Sequence, residues 1–268
     1  MKAYIGPRGH RGFFSVYTCT LVTIHQLIHR FNHSQDDFYF SNDLFTLYGP
    51  LNHWFDVKKI KRACPSDAKP YFDTWAYDHG FIRMKPWISD EEMDRFKYVN
   101  LFPYNQRVKD LIESELLNTK ECVGIHYRGT DGWVHVDRID IDEYVEEAKK
   151  EMKRLNTDSI FLCTDEVNII EKFEDKLPEA NITYHNTMKA NTDHGLHFKS
   201  MSKKRKMRMG DEVILDSFAL SNCKSVICKT SNLITHARIL NPKLNVIYLE
   251  KKLKLTVRFL GKYEHEEN

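Results

Sequence analysis

Short apolar runs that alternate with helical segments limit this chain to a small group of folds. Residues 122–125 (CVGI), Ser159–Thr164 (SIFLCT) and Ser225–Cys228 (SVIC) are short, continuous and apolar, which is typical of buried strands. Between the first two runs, the pattern over Ile141–Leu155 predicts an amphipathic helix. This alternation favours an α/β fold built on a mostly parallel sheet.

The first half of the chain shows the same alternation in a shorter form. Residues 2–5 and 37–40 are predicted strands, and the apolar stretch 16–31 between them is a predicted helix. Residues 62–89 are rich in proline and aromatic residues without clear periodicity, so we expect a long functional loop there. Further helices are predicted over 90–97, 108–117 and 167–176, and a further strand over 181–185.

The run at 122–125 leads into polar side chains with the spacing H-x-R-x-T-D. The pattern consists of His126, Arg128, Thr130 and Asp131, and Gly129 between them allows the backbone to turn. Ligands of open α/β sheets bind at the carboxyl ends of strands, and the planar fork of arginine suits a diphosphate. The motif therefore predicts a pocket for a phosphorylated ligand. The alternative is a surface strand end on which Arg128 pairs with Asp131.

A second segment, residues 210–242, predicts another strand end that can bind an anion. It divides into a helix over 212–220, the strand Ser225–Cys228, a polar turn over 229–232 and a helix over 233–240. Ser231 or Asn232 can cap the last helix, whose N-terminal N–H groups would then face a phosphate. The alternative is an ordinary αβα unit with a well-capped helix.

Together the two segments resemble the α-1,6-fucosyltransferase superfamily, which includes the core-fucosylating enzymes of animals and the nodulation fucosyltransferases of rhizobia. HYRGTD at 126–131 is similar to the H-x-R-x-T-D motif of that family. VILDSFALSNCKSVICKTSN at 213–232 is similar to its late donor-site motif, and DEYV at 142–145 lies at the family's distance after the first motif. The resemblance covers about residues 120–245.

The resemblance implies an α/β, GT-B-like architecture with two Rossmann-like lobes and a cleft between them. We expect an acceptor-side lobe over 1–115, a nucleotide-sugar-binding lobe over 116–250 and a tail over 251–268. The implied activity is an inverting, metal-independent transfer of a sugar from a nucleotide diphosphate sugar to a glycan hydroxyl. GDP-fucose is the first expected donor, and a UDP-sugar such as UDP-xylose is the alternative. A non-catalytic nucleotide-sugar or carbohydrate-binding protein is a further alternative.

The same resemblance assigns roles to the residues of both motifs. Arg128 would neutralise the β-phosphate, and His126 and Asp216 would contact the nucleobase or ribose. The other phosphate oxygens would be held by backbone N–H groups together with Thr230, Ser231 and Asn232. Other roles stay open, since His126 can be a hydrogen-bonded core histidine and Asp216 can pair locally within its helix.

The general base is expected in the loop after the first motif, where the sequence departs from the family pattern. His135 stands near the position of the family's glutamate, and Gly132 stands where the family has a lysine. His135 is a candidate base because its pKa lies near neutrality, and Asp131 and Asp137 are its rivals. The departure leaves the donor sugar open, since sugar and acceptor are expected to meet at this loop.

Two basic stretches lie outside these motifs. Arg8, His10 and Arg11 are expected to face the cleft, and the alternative is a basic surface turn. Residues 199–208 (KSMSKKRKMR) predict either a solvated loop or a flap that closes over the donor phosphates. Nucleic-acid binding is not expected, because aromatic residues are not interleaved with these cations.

Cysteine usage favours a cytoplasmic protein, and the resemblance implies that no metal is needed. Six scattered cysteines predict reduced thiols, and the formal net charge of +2 gives no argument for nucleic acid. Asp140 and Asp142 suit a helix start better than a metal site. The sequence lacks an apolar stretch of about 18 residues and its N-terminus lacks the apolar core of a signal peptide. The animal relatives are membrane-anchored Golgi enzymes, so a bacterial or viral source fits this expectation better.

Overall fold

The strands of the chain form two separate parallel sheets, one from each half of the sequence. The structure is a computed structural model that describes residues 2–6, 12–57, 66–71, 93–129, 139–190 and 201–249. The first sheet has the order β2-β1-β3 and consists of β1 (Ala3–Ile5), β2 (Phe38–Phe40) and β3 (Lys69–Tyr71). Both pairings are parallel, with Tyr4 opposite Tyr39 on one side and opposite Pro70 on the other.

Of the predicted loop over 62–89, the structure describes residues 66–71, and strand β3 corrects the expectation there. Its three residues are Lys-Pro-Tyr, of which only Tyr71 is buried, so the segment lacks the apolar signature of a strand. Pro70 is compatible with β3 because proline fits a strand at the edge of a sheet, and β3 is an edge of the described sheet.

Helix α1 (Phe13–Phe31) forms the centre of the N-terminal core. It begins three residues before the predicted start, because Phe13 and Phe14 are already buried. The hydroxyls of Thr18, Thr20 and Thr23 donate to backbone carbonyls four residues earlier. These bonds allow polar residues to lie in an apolar environment, so the helix can be buried on nearly every side.

The second sheet has five parallel strands in the order β6-β5-β4-β7-β8. In chain order they are β4 (Val123–Tyr127), β5 (Ser159–Thr164), β6 (Asn181–Thr183), β7 (Ser225–Cys228) and β8 (Asn245–Tyr248). The pairing register places His126 of β4 opposite Cys163 on one side and Cys228 on the other. The mostly parallel α/β sheet expected from the alternation is thus confirmed.

Helices cover both faces of this sheet. They are α3 (Ile141–Leu155), α4 (Ile169–Lys176), α5 (Lys203–Asn222) and α6 (Asn232–Leu240), whereas α2 (Gln106–Glu115) packs against α5 and the N-terminal core. Val123, Ile125 and Tyr127 share a core with α3 and α4. Because side chains alternate along a strand, Gly124 and His126 point the other way, and a methyl group at Gly124 would touch Leu220 of α5.

Several boundaries differ from the predicted ones. Helix α5 begins at Lys203 rather than at 212, because Ser202 caps it by accepting from the N–H of Arg205. The basic run is therefore helical from Lys203 onward and not a loop. Strand β6 ends at Thr183 rather than 185, α4 starts at Ile169 rather than 167, and α2 lies two residues earlier than 108–117. A 3₁₀ helix over Asp94–Leu101 lies near the predicted helix 90–97, and β8 was not predicted.

The two halves share a buried contact region. The ring of His236 on α6 is fully buried and stacks on Phe14 of α1 at 4.1 Å between ring centroids. Its nitrogens bond to Ser217 Oγ (2.7 Å) and Tyr104 Oη (2.9 Å). Both ring nitrogens of this histidine are therefore satisfied, as a buried polar group requires. None of the described helices has the length and apolar character needed to cross a membrane.

Gly210→Ala tests the packing of α5 against the N-terminal half. In a helix interior this change usually stabilises by about 1 kcal/mol. Here the new methyl would lie 2.6 Å from Cζ2 of Trp54, whose ring is fully buried. Overpacking costs about 1–3 kcal/mol, so we expect a net loss in the free energy of unfolding measured with urea. In a Trp54→Phe background Cζ2 is absent, and the loss should shrink or reverse. An equal stabilisation by Gly210→Ala in both backgrounds would contradict this packing.

Candidate functional site

The strand order reverses between β4 and β7, which predicts a crevice at the carboxyl ends of these two strands. From β4 the chain moves to β5 and β6 on one side, then crosses over to β7 and β8 on the other. Open α/β sheets bind their ligands at such a reversal of strand order. Arg128 and Gly129 follow β4, and residues 229–232 follow β7. The fold therefore brings the ends of the two sequence motifs together.

The N-terminus of α6 opens into this crevice. Ser231 is its N-cap, and its hydroxyl accepts from the N–H of Ile234 at 3.2 Å. Asn232 is the first helical residue, and its side-chain amide lies 2.6 Å from Thr18 Oγ1 of α1. Of the two predicted caps, the structure selects Ser231, and Asn232 instead joins α6 to the N-terminal half. Thr230 is half-buried between the strand and this cap.

His126 lies at the base of the crevice as a neutral side chain. It is buried, and its Nδ1 is 3.4 Å from Ser231 Oγ. Burial, followed by the charges of Arg128 and Lys229, lowers the pKa of His126 from 6.5 to about 3. A neutral imidazole can donate and accept one hydrogen bond each, so His126 is suited to orient a ligand.

Two cations converge on the crevice. Arg128 is half-buried after β4, and Lys229 is only 3% exposed after β7. Both lie close enough to His126 to lower its pKa. Lys229 was not among the predicted site residues, because its burial, which is rare for a lysine, is not evident from its place in a polar turn. Cations in these positions can attract an anionic ligand.

The turn after Arg128 is shaped by the end of β5. The N–H of Gly129 donates to Asp165 Oδ1 at 3.3 Å. A methyl group at Gly129 would lie 1.4 Å from Glu166 Oε1, so the carboxylate of Glu166 occupies the place of a side chain. A side chain at position 129 would have to displace this carboxylate. Asp165 and Glu166 were not predicted to take part in the site, because their proximity arises from the pairing of β4 with β5.

Asp216 belongs to a second polar group beside the crevice. It lies on α5, and its carboxylate contacts His185 Nδ1 at 2.8 Å and Cys163 Sγ at 3.5 Å. The local pairing considered for Asp216 is therefore replaced by contacts with distant residues. His185 Nε2 is buried and has no hydrogen-bond partner. Burial, with Asp216 adding to it, raises the pKa of the Cys163 thiol well above its usual value.

Other predicted site residues lie outside the described part of the chain. These are Asp131, His135 and Asp137 of the loop after the first motif, and Arg8, His10 and Arg11 of the N-terminal loop. Within the described residues, no group of three or more histidine, cysteine, aspartate or glutamate side chains could hold a metal ion.

Solved fucosyltransferase structures are similar to this chain. The crystal structure of NodZ alpha-1,6-fucosyltransferase soaked with GDP-fucose matches with a TM-score of 0.53 and 14% identity, over 94% of this chain and 98% of that chain. Fucosyltransferase NodZ from Bradyrhizobium matches with a TM-score of 0.52 and 13% identity over the same shares. The apo form of POFUT1 matches with a TM-score of 0.52 and 11% identity, over 92% and 98%. No protein-family model and no curated protein sequence matches. At these identities the likeness shows the fold alone, and it confirms the expected α/β, GT-B-like fold.

The low pKa of His126 predicts how stability depends on pH. The folded protein keeps His126 neutral down to about pH 3, whereas the unfolded chain protonates it near 6.5. Stability is therefore present above pH 6.5 and is lost, by about 1.4 kcal/mol per pH unit, as the pH falls toward 3. His126→Asn removes this group, while the similarly shifted His236 still titrates. Urea unfolding should show a smaller fall in stability between pH 7 and pH 5 for the variant than for the wild type. An equal fall would contradict the buried, neutral state of His126.

Proposed function

We propose that the protein is a glycosyltransferase that moves a sugar from a nucleoside diphosphate sugar to a glycan hydroxyl. One observation carries the proposal: the crevice between β4 and β7 brings Arg128, Lys229 and the capped N-terminus of α6 together. Two cations and the N-terminal N–H groups of α6 suit a diphosphate. The likeness to NodZ, which was soaked with GDP-fucose, supports this ligand class. We propose GDP-fucose as the first donor.

The proposed role of the cations is to stabilise the leaving group. As the bond between the anomeric carbon and the phosphate oxygen breaks, negative charge grows on the β-phosphate. Arg128 and Lys229 lie in place before the reaction, so they stabilise this charge without reorganising. The α6 N–H groups would share the remaining phosphate oxygens. We propose that this arrangement replaces a divalent metal.

The remaining steps concern the acceptor. In an inverting transfer the acceptor hydroxyl attacks the anomeric carbon from the face opposite the diphosphate, and it loses its proton to a base. We retain His135, Asp131 and Asp137 as candidates for that base. Arg8, His10 and Arg11 remain candidates for the acceptor side of the cleft. Residues 1–115 and 116–250 would be the two lobes on either side.

Recognition of the nucleobase is proposed for the group around Asp216. With His185 on one oxygen and Cys163 near the other, the carboxylate is held in one orientation beside the crevice. A carboxylate accepts hydrogen bonds only. The edge of guanine that carries N1–H and the 2-amino group offers two neighbouring donors, whereas uracil offers a single N–H. This chemistry favours GDP over UDP, and UDP-xylose remains the second donor to test.

We also propose a cytoplasmic setting for this activity. Cys19, Cys122, Cys163, Cys223 and Cys228 are buried free thiols. Burial explains how they persist without a disulfide, and reduced cysteines are typical of the cytosol.

Donor binding and hydrolysis test the proposed function. At about 100 times its dissociation constant, GDP should stabilise the protein by about 2.7 kcal/mol. UDP at the same concentration should stabilise the protein less, because we expect it to bind more weakly. An enzyme should slowly release free fucose from GDP-fucose in the presence of EDTA, whereas a binding protein should release none. Arg128→Lys keeps the charge but loses the fork, so turnover should fall about 100-fold or more. Arg154→Lys on the surface of α3 is the matched control and should leave turnover unchanged.

Each result of this experiment has a defined meaning. Wild-type turnover by Arg128→Lys would contradict the leaving-group role. A larger stabilisation by UDP would move the donor to UDP-xylose, and binding without hydrolysis would favour a non-catalytic protein. Loss of turnover in EDTA that magnesium or manganese restores would contradict metal independence.

A further inference from the structure

The first six residues of α5 carry an unusual density of positive charge. We call Lys203, Lys204, Arg205, Lys206 and Arg208 the basic turn. Lys203, Lys204, Arg205 and Arg208 are exposed, and Lys206 is half-buried. The first turn of this helix contains no acidic residue. The basic turn is therefore a surface with a single sign of charge.

Within the described part of the chain, carboxylates pair with only one cation of the basic turn. Glu212 accepts from Arg208 Nε at 2.7 Å, and its other oxygen accepts from the N–H of Met188. Asp211 faces the N-terminal half, where Arg107 binds both of its oxygens at 3.0 and 2.7 Å. Among the described residues, no carboxylate pairs with the other four cations of the basic turn.

Folding alone does not account for this arrangement. The N-terminus of a helix carries a partial positive charge, so each cation there is unfavourable by about 0.3–1 kcal/mol. Ser202 already caps the helix by accepting from the N–H of Arg205. Neutral residues in the same places would make the isolated helix more stable, so the charges indicate an anionic partner.

The topology places the basic turn on the same edge of the sheet as the proposed donor site. The C-terminal end of α5, at Asn222, lies close to the start of β7 at Ser225. Helix α5 therefore runs opposite to the strands, and its N-terminal end lies toward their carboxyl ends. Asp216 marks the level of those ends, because it contacts Cys163, the penultimate residue of β5. At 1.5 Å per residue, the basic turn extends about 12–20 Å beyond that level.

Contacts with the N-terminal half hold this projecting part of α5 in place. Trp54 Nε1 donates to Asp211 at 2.9 Å, in addition to the two bonds from Arg107. Met207 lies against Gly49, since a methyl group on that glycine would be 2.9 Å from Met207 Cγ. Because these contacts fix α5 and its cations lie well beyond Asp216, the basic turn is not suited to act as a flap that closes over the donor phosphates.

We propose that the basic turn binds acidic groups of the acceptor, so that the acceptor is an anionic glycan carrying carboxylate, sulfate or phosphate. This inference rests on the proposed function and adds the substrate class of its acceptor. The acceptor would extend from the crevice toward the projecting end of α5, with its acidic groups on the basic turn. A membrane surface fits less well, because Met207 and Met209 pack against the N-terminal half rather than facing outward. Nucleic acid fits less well because the turn has no aromatic residue for stacking.

Binding of defined probes to the full chain tests this proposal. The probes are a labelled heparin oligosaccharide, an uncharged chitin oligosaccharide, a short single-stranded DNA and phosphatidylcholine vesicles containing phosphatidylserine. The variant Lys203→Gln/Lys204→Gln/Arg205→Gln removes three charges from the basic turn. Lys120→Gln/Lys149→Gln/Lys172→Gln removes the same charge from exposed residues elsewhere and is the matched control. GDP-induced thermal stabilisation is measured on every protein.

The basic-turn variant should bind the heparin oligosaccharide about tenfold or more weakly, since even one charge-assisted contact is worth about a factor of ten. Its unfolding temperature should not fall, and the control variant should bind as the wild type does. An equal loss of heparin affinity in the basic-turn and control variants would contradict the proposal. Binding of DNA or vesicles more tightly than heparin through the same cations would also contradict it. GDP stabilisation separates the two levels of inference. If GDP stabilises the protein but the basic-turn variant binds heparin as the wild type does, only the proposed acceptor class is wrong. If GDP does not stabilise the protein, the proposed function itself is wrong.

Discussion

The parallel pairing of β4 with β7 decides where this protein can bind a ligand. The two strands are separated by about a hundred residues, yet the register brings His126 opposite Cys228. The chain leaves β4 on one side and reaches β7 on the other, so none of the described helices connects these two strands directly. The cations that follow them, Arg128 and Lys229, therefore reach the same crevice. Without this pairing each motif would be an isolated strand end.

A second constraint is the attachment of α5 and α6 to the N-terminal half. Asn232 and His236 join α6 to α1 and Tyr104, and Asp211 joins α5 to Trp54 and Arg107. The helices that carry the cap Ser231 and the carboxylate Asp216 are thus fixed by residues from the other half. Such support limits the freedom of the site before a ligand arrives, and pre-organisation of this kind reduces the cost of binding.

The sequence predicted the parts of the fold whose periodicity is strong. Ile141–Leu155, Ser159–Thr164 and Ser225–Cys228 have the predicted bounds, because each is a clear amphipathic or apolar segment between polar residues. Strand β3 and the first half of α5 escaped prediction for the opposite reason. Lys-Pro-Tyr is an exposed edge strand, and the basic turn has no apolar face.

The candidate site shows the same division. His126, Arg128 and Ser231 could be selected in advance, because each lies within a recognisable motif. Partners that come from elsewhere in the chain could not be selected. Asp165 reaches Gly129 across 36 residues, and His185 reaches Asp216 across 31. Such contacts depend on strand order and helix placement, which local patterns do not encode.

A crystal structure of the protein with GDP would test the central claim most directly. The account predicts the diphosphate in the crevice between β4 and β7, with a β-phosphate oxygen at hydrogen-bonding distance from the Arg128 guanidinium and the α6 N–H groups. The guanine should lie toward Asp216. A diphosphate bound away from the ends of β4 and β7, or bound there without contact to Arg128, would contradict the account.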